Sequence, residues 1–176
     1  MNEQGDILSL IETRRCVKCY KPDMPPKELI ERVIAAGTWA ATGMNKQSPI
    51  ILAVTKKEIR DQLSKMNAAV MGSINDPFYG APVVLVVLAD KQAATYLYDG
   101  SLVMGNMMLE AHSLGLGSCW VHRAKEEFES PEGKELLASL GITGDYEGIG
   151  HLILGYPQGE YPKAKPRKEN WVYRID

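Results

Sequence analysis

The chain has 176 residues, of which 45% are hydrophobic and 24% are charged, as is typical of one soluble globular domain with its own core. The formal net charge of -2 argues against a general nucleic-acid binder, because such proteins carry a strongly basic face that collects phosphates. The apolar runs are shorter than the roughly 18 residues that suggest a membrane span.

Hydrophobic periodicity predicts helices and strands along the whole chain, without an internal repeat or a linker. The predicted helices cover residues 6–14, 27–40, 57–66, 93–114 and 131–140. The predicted strands cover residues 50–55, 82–89, 118–121 and 148–155. Residues 41–49 have loop composition, and the tail from Tyr156 is expected to run extended over a surface. This order indicates a single domain over residues 1–176, with a central sheet flanked by helices.

Two of these elements are unusually apolar. The strand over 82–89 is a continuous, largely β-branched run, which predicts burial on both faces of the sheet. The helix over 93–114 is apolar on nearly every side. Such a helix must be covered all round, either by its own domain or by a second subunit.

The cysteines and the N-terminus predict a cytoplasmic protein. Three cysteines are an odd number, which fits a reducing compartment better than a disulfide framework. Cys16 and Cys19 have C-x-x-C spacing, but no second pair supplies further metal ligands, and the pair follows a helix rather than a strand. No metal site is predicted. Acidic residues such as Glu3 interrupt the N-terminal segment, so it does not resemble a secretory signal.

Glycine patterns exclude the common nucleotide folds. Gly115-x-Gly117 leaves a helix and enters a strand, which is the reverse of the order that a dinucleotide fingerprint requires. Gly148-x-Gly150 leads into a strand and lacks a third glycine. The chain contains no G-x-x-x-x-G-K-[ST] motif, so a nucleotide triphosphatase is not expected.

A basic cluster at the end of the first helix is the first sign of a ligand. Arg14, Arg15 and Lys18 are three cations within five residues, and they could receive a phosphate through charge-assisted hydrogen bonds. The alternative is a cationic helix C-terminus that the helix dipole favours. Lys165 and Arg167 form a second basic group in the tail. A single phosphate bound between the two segments would account for both basic groups.

Four motifs in order carry a family resemblance. They are Arg-Arg-Cys-Val-Lys at 14–18, the loop at 41–49, Leu-Gly-Leu-Gly-Ser-Cys-Trp at 114–120, and Gly-Tyr-Pro at 155–157 followed by Lys-Pro-Arg at 165–167. With these motifs the chain resembles the short branch of the nitroreductase-like flavoproteins from end to end. Cys16 stands where the family has serine and is a weaker hydrogen-bond donor. Residues 41–43 replace the family's usual proline and serines, so the loop matches more loosely.

The resemblance implies an α+β fold with a central mixed sheet flanked by helices, in an intertwined homodimer. It implies one FMN per subunit at the subunit interface, which would explain the apolar helix. The implied FMN contacts are Arg14, Lys165 and Arg167 at the phosphate; Arg15, Cys16 and Lys18 along the ribityl chain and pyrimidine edge; Thr42, Gly43 and Asn45 from the other subunit; and Trp120, Val121, His122 and Arg123 in a turn whose backbone lies near flavin N5.

The implied activity is electron transfer through FMN, without a catalytic protein nucleophile or base. NADH or NADPH would give hydride to the flavin, and a nitroaromatic, quinone or similar small molecule would accept the electrons. Lys18 would stabilise the negative charge of the reduced ring. One alternative is a non-catalytic FMN store or sensor, in which bulky His122 and Arg123 block the flavin. Another is a flavin-fragmenting or dehalogenating specialist, although this short chain has little room for their lid segments.

The three histidines have different expected positions. His112 and His151 fall on apolar elements and are expected in the core or at an interface. His122 falls in a turn, where it either lies on the surface or touches the flavin or substrate.

Overall fold

The computed structural model describes residues 6–175. Residues 1–5 and 176 lie outside it, and with them Glu3, on which part of the prediction of a non-secretory N-terminus depends. The helices are α1 (Ile7–Thr13), α2 (Lys27–Thr38), α3 (Lys57–Val70), α4 (Tyr96–Ser113), α5 (Ala124–Glu129) and α6 (Pro131–Ser139). The strands are β1 (Pro49–Val54), β2 (Val83–Asp90), β3 (Gly117–Val121) and β4 (Tyr146–Gly155).

The four strands form one sheet in the order β1-β2-β4-β3. Each neighbouring pair of strands is antiparallel. Within residues 6–175, the parallel pairing that a mixed sheet requires is limited to an isolated bridge between Cys16 and Ser118. The N-terminal segment thus adds to the β3 edge after α1 has ended, because its backbone continues extended at Arg14.

Strand β2 is buried on both faces, as its composition predicts. Val84, Val86 and Leu88 belong to one hydrophobic core and Val83 and Leu85 to the other, and all five are fully buried. Helices cover the two faces, so even this antiparallel central strand meets no water. The α+β fold with a sheet between helical layers is confirmed.

The helix ends differ from the sequence predictions by a few residues. Helix α4 begins at Tyr96 because residues 93–95 form a turn, in which the Tyr96 amide donates to the Ala93 carbonyl oxygen at 3.0 Å. Helix α3 continues to Val70. Helix α5 was not predicted, since only Ala124 and Phe128 of its six residues are apolar. Helix α6 begins where expected, with Ser130 as N-cap and proline in the first turn.

Helix α4 is covered only in part, by the sheet and by helix α2. Met104 and Met107 are fully buried against the sheet, whereas Leu97, Tyr98 and Leu102 are 46%, 72% and 49% exposed. Its own domain therefore supplies only part of the cover that its composition requires. Among the helices of residues 6–175, none is long and apolar enough to cross a membrane.

Candidate functional site

The basic N-terminal motif lies directly beside strand β3. The Val17 amide donates to the Ser118 carbonyl oxygen at 3.0 Å, next to the parallel bridge at Cys16. Gly117 permits this approach, because a Cβ there would lie 2.9 Å from the Cβ of Val17. The motif at 14–18 and the motif at 114–120 are thus neighbours in space, although about a hundred residues separate them in the chain.

Two arginine side chains of this motif hold buried nitrogens without partners. Nη1 of Arg14 and Nε of Arg15 are buried and make no hydrogen bond within the described residues. Arg15 uses Nη1 for the carbonyl oxygens of Glu12 and Arg14, both at 2.7 Å. A buried cationic N–H without an acceptor is costly, so the site is suited to an anion with several oxygens. A phosphate group fits this donor set.

The environment of Cys16 favours its thiolate form. A hydrogen bond from the Cys119 thiol, together with a hydrogen bond and charge from Arg14, lowers the pKa of Cys16 to about 5. The same contact and burial raise the pKa of Cys119. Cys16 is exposed whereas Cys119 is buried, so the pair has one reactive and one protected sulfur. The sequence drew attention to Cys19, but the sulfur that interacts with Cys16 belongs to Cys119.

We expect iodoacetamide to alkylate Cys16 in the flavin-free protein with a midpoint near pH 5, because the thiolate is the nucleophile and exists above the pKa. The measurement is mass spectrometry of the Cys16 peptide against pH in a Cys19→Ser background. In the additional variant Arg14→Gln the profile should move to higher pH. A profile that rises only near the ordinary thiol pKa of about 8.5 would contradict the assignment.

The C-terminal tail is anchored beside the same motif through Tyr161. The Tyr161 hydroxyl accepts a hydrogen bond from the Arg15 amide at 3.1 Å and lies 3.1 Å from Nδ1 of His112. Nε2 of His112 lies 2.8 Å from the Thr13 hydroxyl. Burial, followed by the charges of the two neighbouring arginines, lowers the pKa of His112, so the ring favours its neutral form. His112 therefore joins α1, α4 and the tail.

The remaining predicted cations do not lie against Arg14 in the way a shared phosphate site would require; all three are exposed. Lys165 and Arg167 follow shortly after Tyr161 and are exposed. Lys18 is also exposed, and its Nζ lies 5.4 Å from the centre of the Tyr79 ring. A cleft of about 230 Å³ lies between the N-terminal motif and the tail. It is smaller than the roughly 300–1,000 Å³ of typical cofactor pockets, so it can be only part of a flavin site.

In the turn after β3, the side chain of Val121 is buried and that of His122 is exposed. Val121 is buried in the core, which leaves its main chain as the part that could meet a ligand. The Trp120 indole packs on Gly150, where a Cβ would lie 2.2 Å from Nε1. His122 is exposed, and Arg123 has a left-handed backbone with φ 77° and ψ 10°. His151 is fully buried below this turn, so its predicted core position is confirmed.

The loop before β1 is held by one buried carboxylate. Asp99 of α4 accepts hydrogen bonds from the Gly43 amide at 3.0 Å, the Ser48 hydroxyl at 2.9 Å and the Thr95 hydroxyl at 3.1 Å. Gly43 is required here because a Cβ would lie 2.2 Å from the hydroxyl oxygen of Thr95. Asp99 therefore fixes the backbone of this loop through the Gly43 amide.

Polar side chains of this loop also form hydrogen bonds within the loop itself. Thr42 Oγ1 accepts from the Gln47 amide at 3.1 Å, and Asn45 Oδ1 accepts from the Gln47 side chain at 3.3 Å. Asn45 is exposed with φ 53°, a conformation that asparagine tolerates better than most residues.

Replacement of Asp99 by Ala is expected to lower the free energy of unfolding by about 2–3 kcal/mol, because buried donors lose their acceptor. Urea unfolding followed by circular dichroism measures this loss. Asp61→Ala is the matched control, since Asp61 pairs with Lys57 and Arg60 nearer the surface and should cost about 1 kcal/mol or less. Equal losses in the two variants would contradict the role given to Asp99.

The predicted site residues fall into two groups within one chain. Arg14, Arg15 and Cys16 lie beside strand β3, whereas the 42–45 loop precedes β1 at the opposite edge of the sheet. Two strands separate the outer strands β3 and β1, which at about 4.8 Å per strand spacing puts these two edges about 14 Å apart. One protomer therefore does not bring together all the predicted residues.

Sequence reasoning missed four residues that organise these groups: Cys119, Tyr161, Asp99 and Asn67, whose side-chain amide donates to the His122 carbonyl oxygen at 2.8 Å. Cys119 lies within the recognised motif at 114–120, but its contact with Cys16 depends on strand pairing. A signal existed for Asn67, which follows Leu63 by one helical turn and therefore falls on the buried face of α3.

Comparisons with known proteins agree with this arrangement of elements. A family model described as the nitroreductase family matches residues 11–75 and 71–156. A crystal structure of a nitroreductase with bound FMN from Bacteroides fragilis has a TM-score of 0.88 and 25% sequence identity, covering 100% of both chains. One from Desulfitobacterium hafniense, also with bound FMN, has a TM-score of 0.85 and 26% identity, covering 99% of this chain and 100% of that one.

A relative from Archaeoglobus fulgidus is 29% identical over 160 residues, which cover 88% of this chain and 87% of that protein. It is provisionally named an NADH dehydrogenase/NAD(P)H nitroreductase.

Proposed function

Since this chain belongs to the nitroreductase family, we propose that it is an FMN-dependent oxidoreductase that acts as a homodimer. Its electron donor is NADH or NADPH, and its acceptor is a nitroaromatic, a quinone or a similar small molecule. The solved relatives with bound FMN and the provisional name of the Archaeoglobus relative support this proposal.

The observation that carries the proposal is the pair of buried, unpartnered nitrogens on Arg14 and Arg15. A flavin mononucleotide ends in a phosphate, which supplies several acceptors to such donors. Lys165 and Arg167, which lie in the tail anchored by Tyr161, are proposed to complete the phosphate site.

FMN, when bound, supplies the hydride and electron chemistry of the reaction, while the protein binds it and sets its environment. Arg15 and Cys16 are proposed to line the ribityl chain, and Lys18 to place a cation at the pyrimidine edge. The main chain of the turn from Trp120 to Arg123 would face the reacting edge of the bound flavin, and the core position of the Val121 side chain is consistent with this. No side chain of this site is needed as a nucleophile.

The two separated groups of site residues support the proposed homodimer. The 42–45 loop precedes β1 at the opposite sheet edge from Arg14, which supports the proposal that Thr42, Gly43 and Asn45 reach the same flavin from a second copy. The exposed apolar residues of α4 and of α1, among them Leu102 and Ile7, offer a surface for that copy. The intertwined arrangement and a cytoplasmic location stay predictions.

The proposed reaction is tested by steady-state oxidation of NADH and NADPH with FMN-loaded protein and a panel of quinones and nitroaromatics. Turnover that requires both FMN and an acceptor would support the oxidoreductase. Absence of pyridine-nucleotide oxidation with every acceptor would contradict it and favour the store or sensor, in which His122 and Arg123 shield the flavin.

A further inference from the structure

A buried amide on α3 holds the turn that follows β3. Asn67 is fully buried. Its Nδ2 donates to the His122 carbonyl oxygen at 2.8 Å and also to Oε1 of Glu127. Its Oδ1 accepts from Nε of Arg123 at 3.0 Å and from Nη2 of Arg123 at 2.8 Å. One side chain thus contacts two residues of the turn, His122 and Arg123, and the buried Glu127 of α5.

The orientation of this amide is fixed from the core. Glu127 and His151 have fully buried side chains, with Oε2 of Glu127 3.2 Å from Nε2 of His151. The His151 ring also packs 5.1 Å from the Phe78 ring. A buried carboxylate needs donors, so the NH₂ group of Asn67 must face Glu127. The carbonyl oxygen of Asn67 then necessarily faces the Arg123 guanidinium.

The turn needs such support because Arg123 has an unfavourable backbone. Its φ of 77° and ψ of 10° lie in the left-handed region, where residues with a Cβ are strained. Strain of this kind persists only when surrounding contacts determine the conformation. Asn67 provides these contacts for Arg123. It binds the carbonyl of the preceding residue, His122, and the Arg123 side chain itself.

We propose that Asn67 is a positioning residue, which fixes the turn of residues 121–123 and the direction of the Arg123 guanidinium. The inference rests on the proposed function, which places this turn beside the flavin. Glu127 and His151 act through Asn67 and do not touch the cofactor. The turn must be held because its main chain meets the reacting edge, and a displacement of about 1 Å at such a centre costs up to about a hundredfold in rate.

The test compares Asn67→Leu with Ser64→Ala, in two measurements. Ser64 lies one helical turn earlier on α3, is buried, and donates to Asp76 at 2.7 Å instead of to the turn. The first measurement is hydrogen exchange of the peptide over residues 121–128 in flavin-free protein. The second is the rate of anaerobic flavin bleaching by NADH or NADPH at saturating FMN.

We expect Asn67→Leu to speed exchange in this peptide and to slow flavin bleaching by about tenfold or more, because the turn loses its support. Ser64→Ala should leave both quantities near those of the unmodified protein, even if it lowers thermal stability. Saturating FMN removes any contribution from weakened cofactor binding.

If Asn67→Leu does not fold, a second pair of variants tests whether Asn67 positions the turn. Asn67→Asp places two carboxylates together and removes the donor to the His122 carbonyl. Adding Glu127→Gln restores an amide–carboxylate hydrogen bond between the same two positions. The bleaching rate should fall in the single variant and recover partly in the double variant.

Unchanged exchange at residues 121–128 in Asn67→Leu would overturn the inference. Faster exchange with an unchanged bleaching rate would overturn it too, as would equal effects in Ser64→Ala. If the unmodified protein retains no FMN, the proposed function fails, whereas the exchange measurement still judges whether Asn67 holds the turn.

Discussion

Replacement of Leu102 by Glu is expected to convert the protein from a dimer into a monomer that no longer retains FMN. Leu102 is 49% exposed on the uncovered face of α4, near Leu97 and Tyr98. A Cβ added at Gly105, one turn further along, meets no atom within 4 Å, so this face is open in the protomer. A buried carboxylate without a partner would cost several kcal/mol at an interface.

Sedimentation velocity gives the mass of the particle, and absorbance after desalting gives the FMN retained. Leu140→Glu is the matched control, since Leu140 is 57% exposed outside α4 and should change neither quantity. FMN should be lost together with the dimer, because the proposed flavin site takes the 42–45 loop from the second copy. A Leu102→Glu variant that stays dimeric, or a monomer that keeps its FMN, would contradict the proposed interface.

Replacement of Arg14 by Ala is expected to weaken FMN binding by about tenfold to a hundredfold. The Arg14 nitrogen Nη1 is buried without a partner and is proposed to donate to the phosphate. A hydrogen bond to a charged group contributes about 1.5–3 kcal/mol, and about 1.4 kcal/mol corresponds to a tenfold change in affinity. Quenching of FMN fluorescence on titration with flavin-free protein measures the dissociation constant.

Arg32→Ala serves as the control for Arg14→Ala. Arg32 already pairs with Glu110 at 2.7 Å and has an exposed side chain, so its loss should leave FMN affinity unchanged. Riboflavin, which lacks the phosphate, separates the two parts of the site: the Arg14 variant should bind it as well as the unmodified protein does. An equal loss of riboflavin and FMN binding would place Arg14 away from the phosphate.

The sequence was most informative where the chemistry is local. The continuous apolar run of β2 predicts burial on both faces, and the structure confirms it. The cations at 14–18 lie close together in the chain, so their grouping needs no tertiary information. The apolar composition of α4 predicts that its own domain or a second subunit covers the helix. It does not indicate which face the domain leaves exposed.

The rest of the site depends on pairing between distant segments. Cys16 meets Cys119 because the backbone after α1 joins the edge of β3, and no local pattern encodes that register. Helix α5 is short and mostly charged, so it is held by tertiary contacts of Glu127 and Phe128 rather than by propensity. The 42–45 loop obtains its shape from Asp99, more than fifty residues later.

The central claim is tested most directly by the absorbance spectrum of purified protein that has been supplemented with FMN and desalted, before and after anaerobic addition of NADH or NADPH. We predict that the protein keeps its yellow colour through desalting and that at least one donor bleaches it. Colour that persists after both donors would contradict the oxidoreductase, and protein that emerges colourless would contradict FMN as its cofactor.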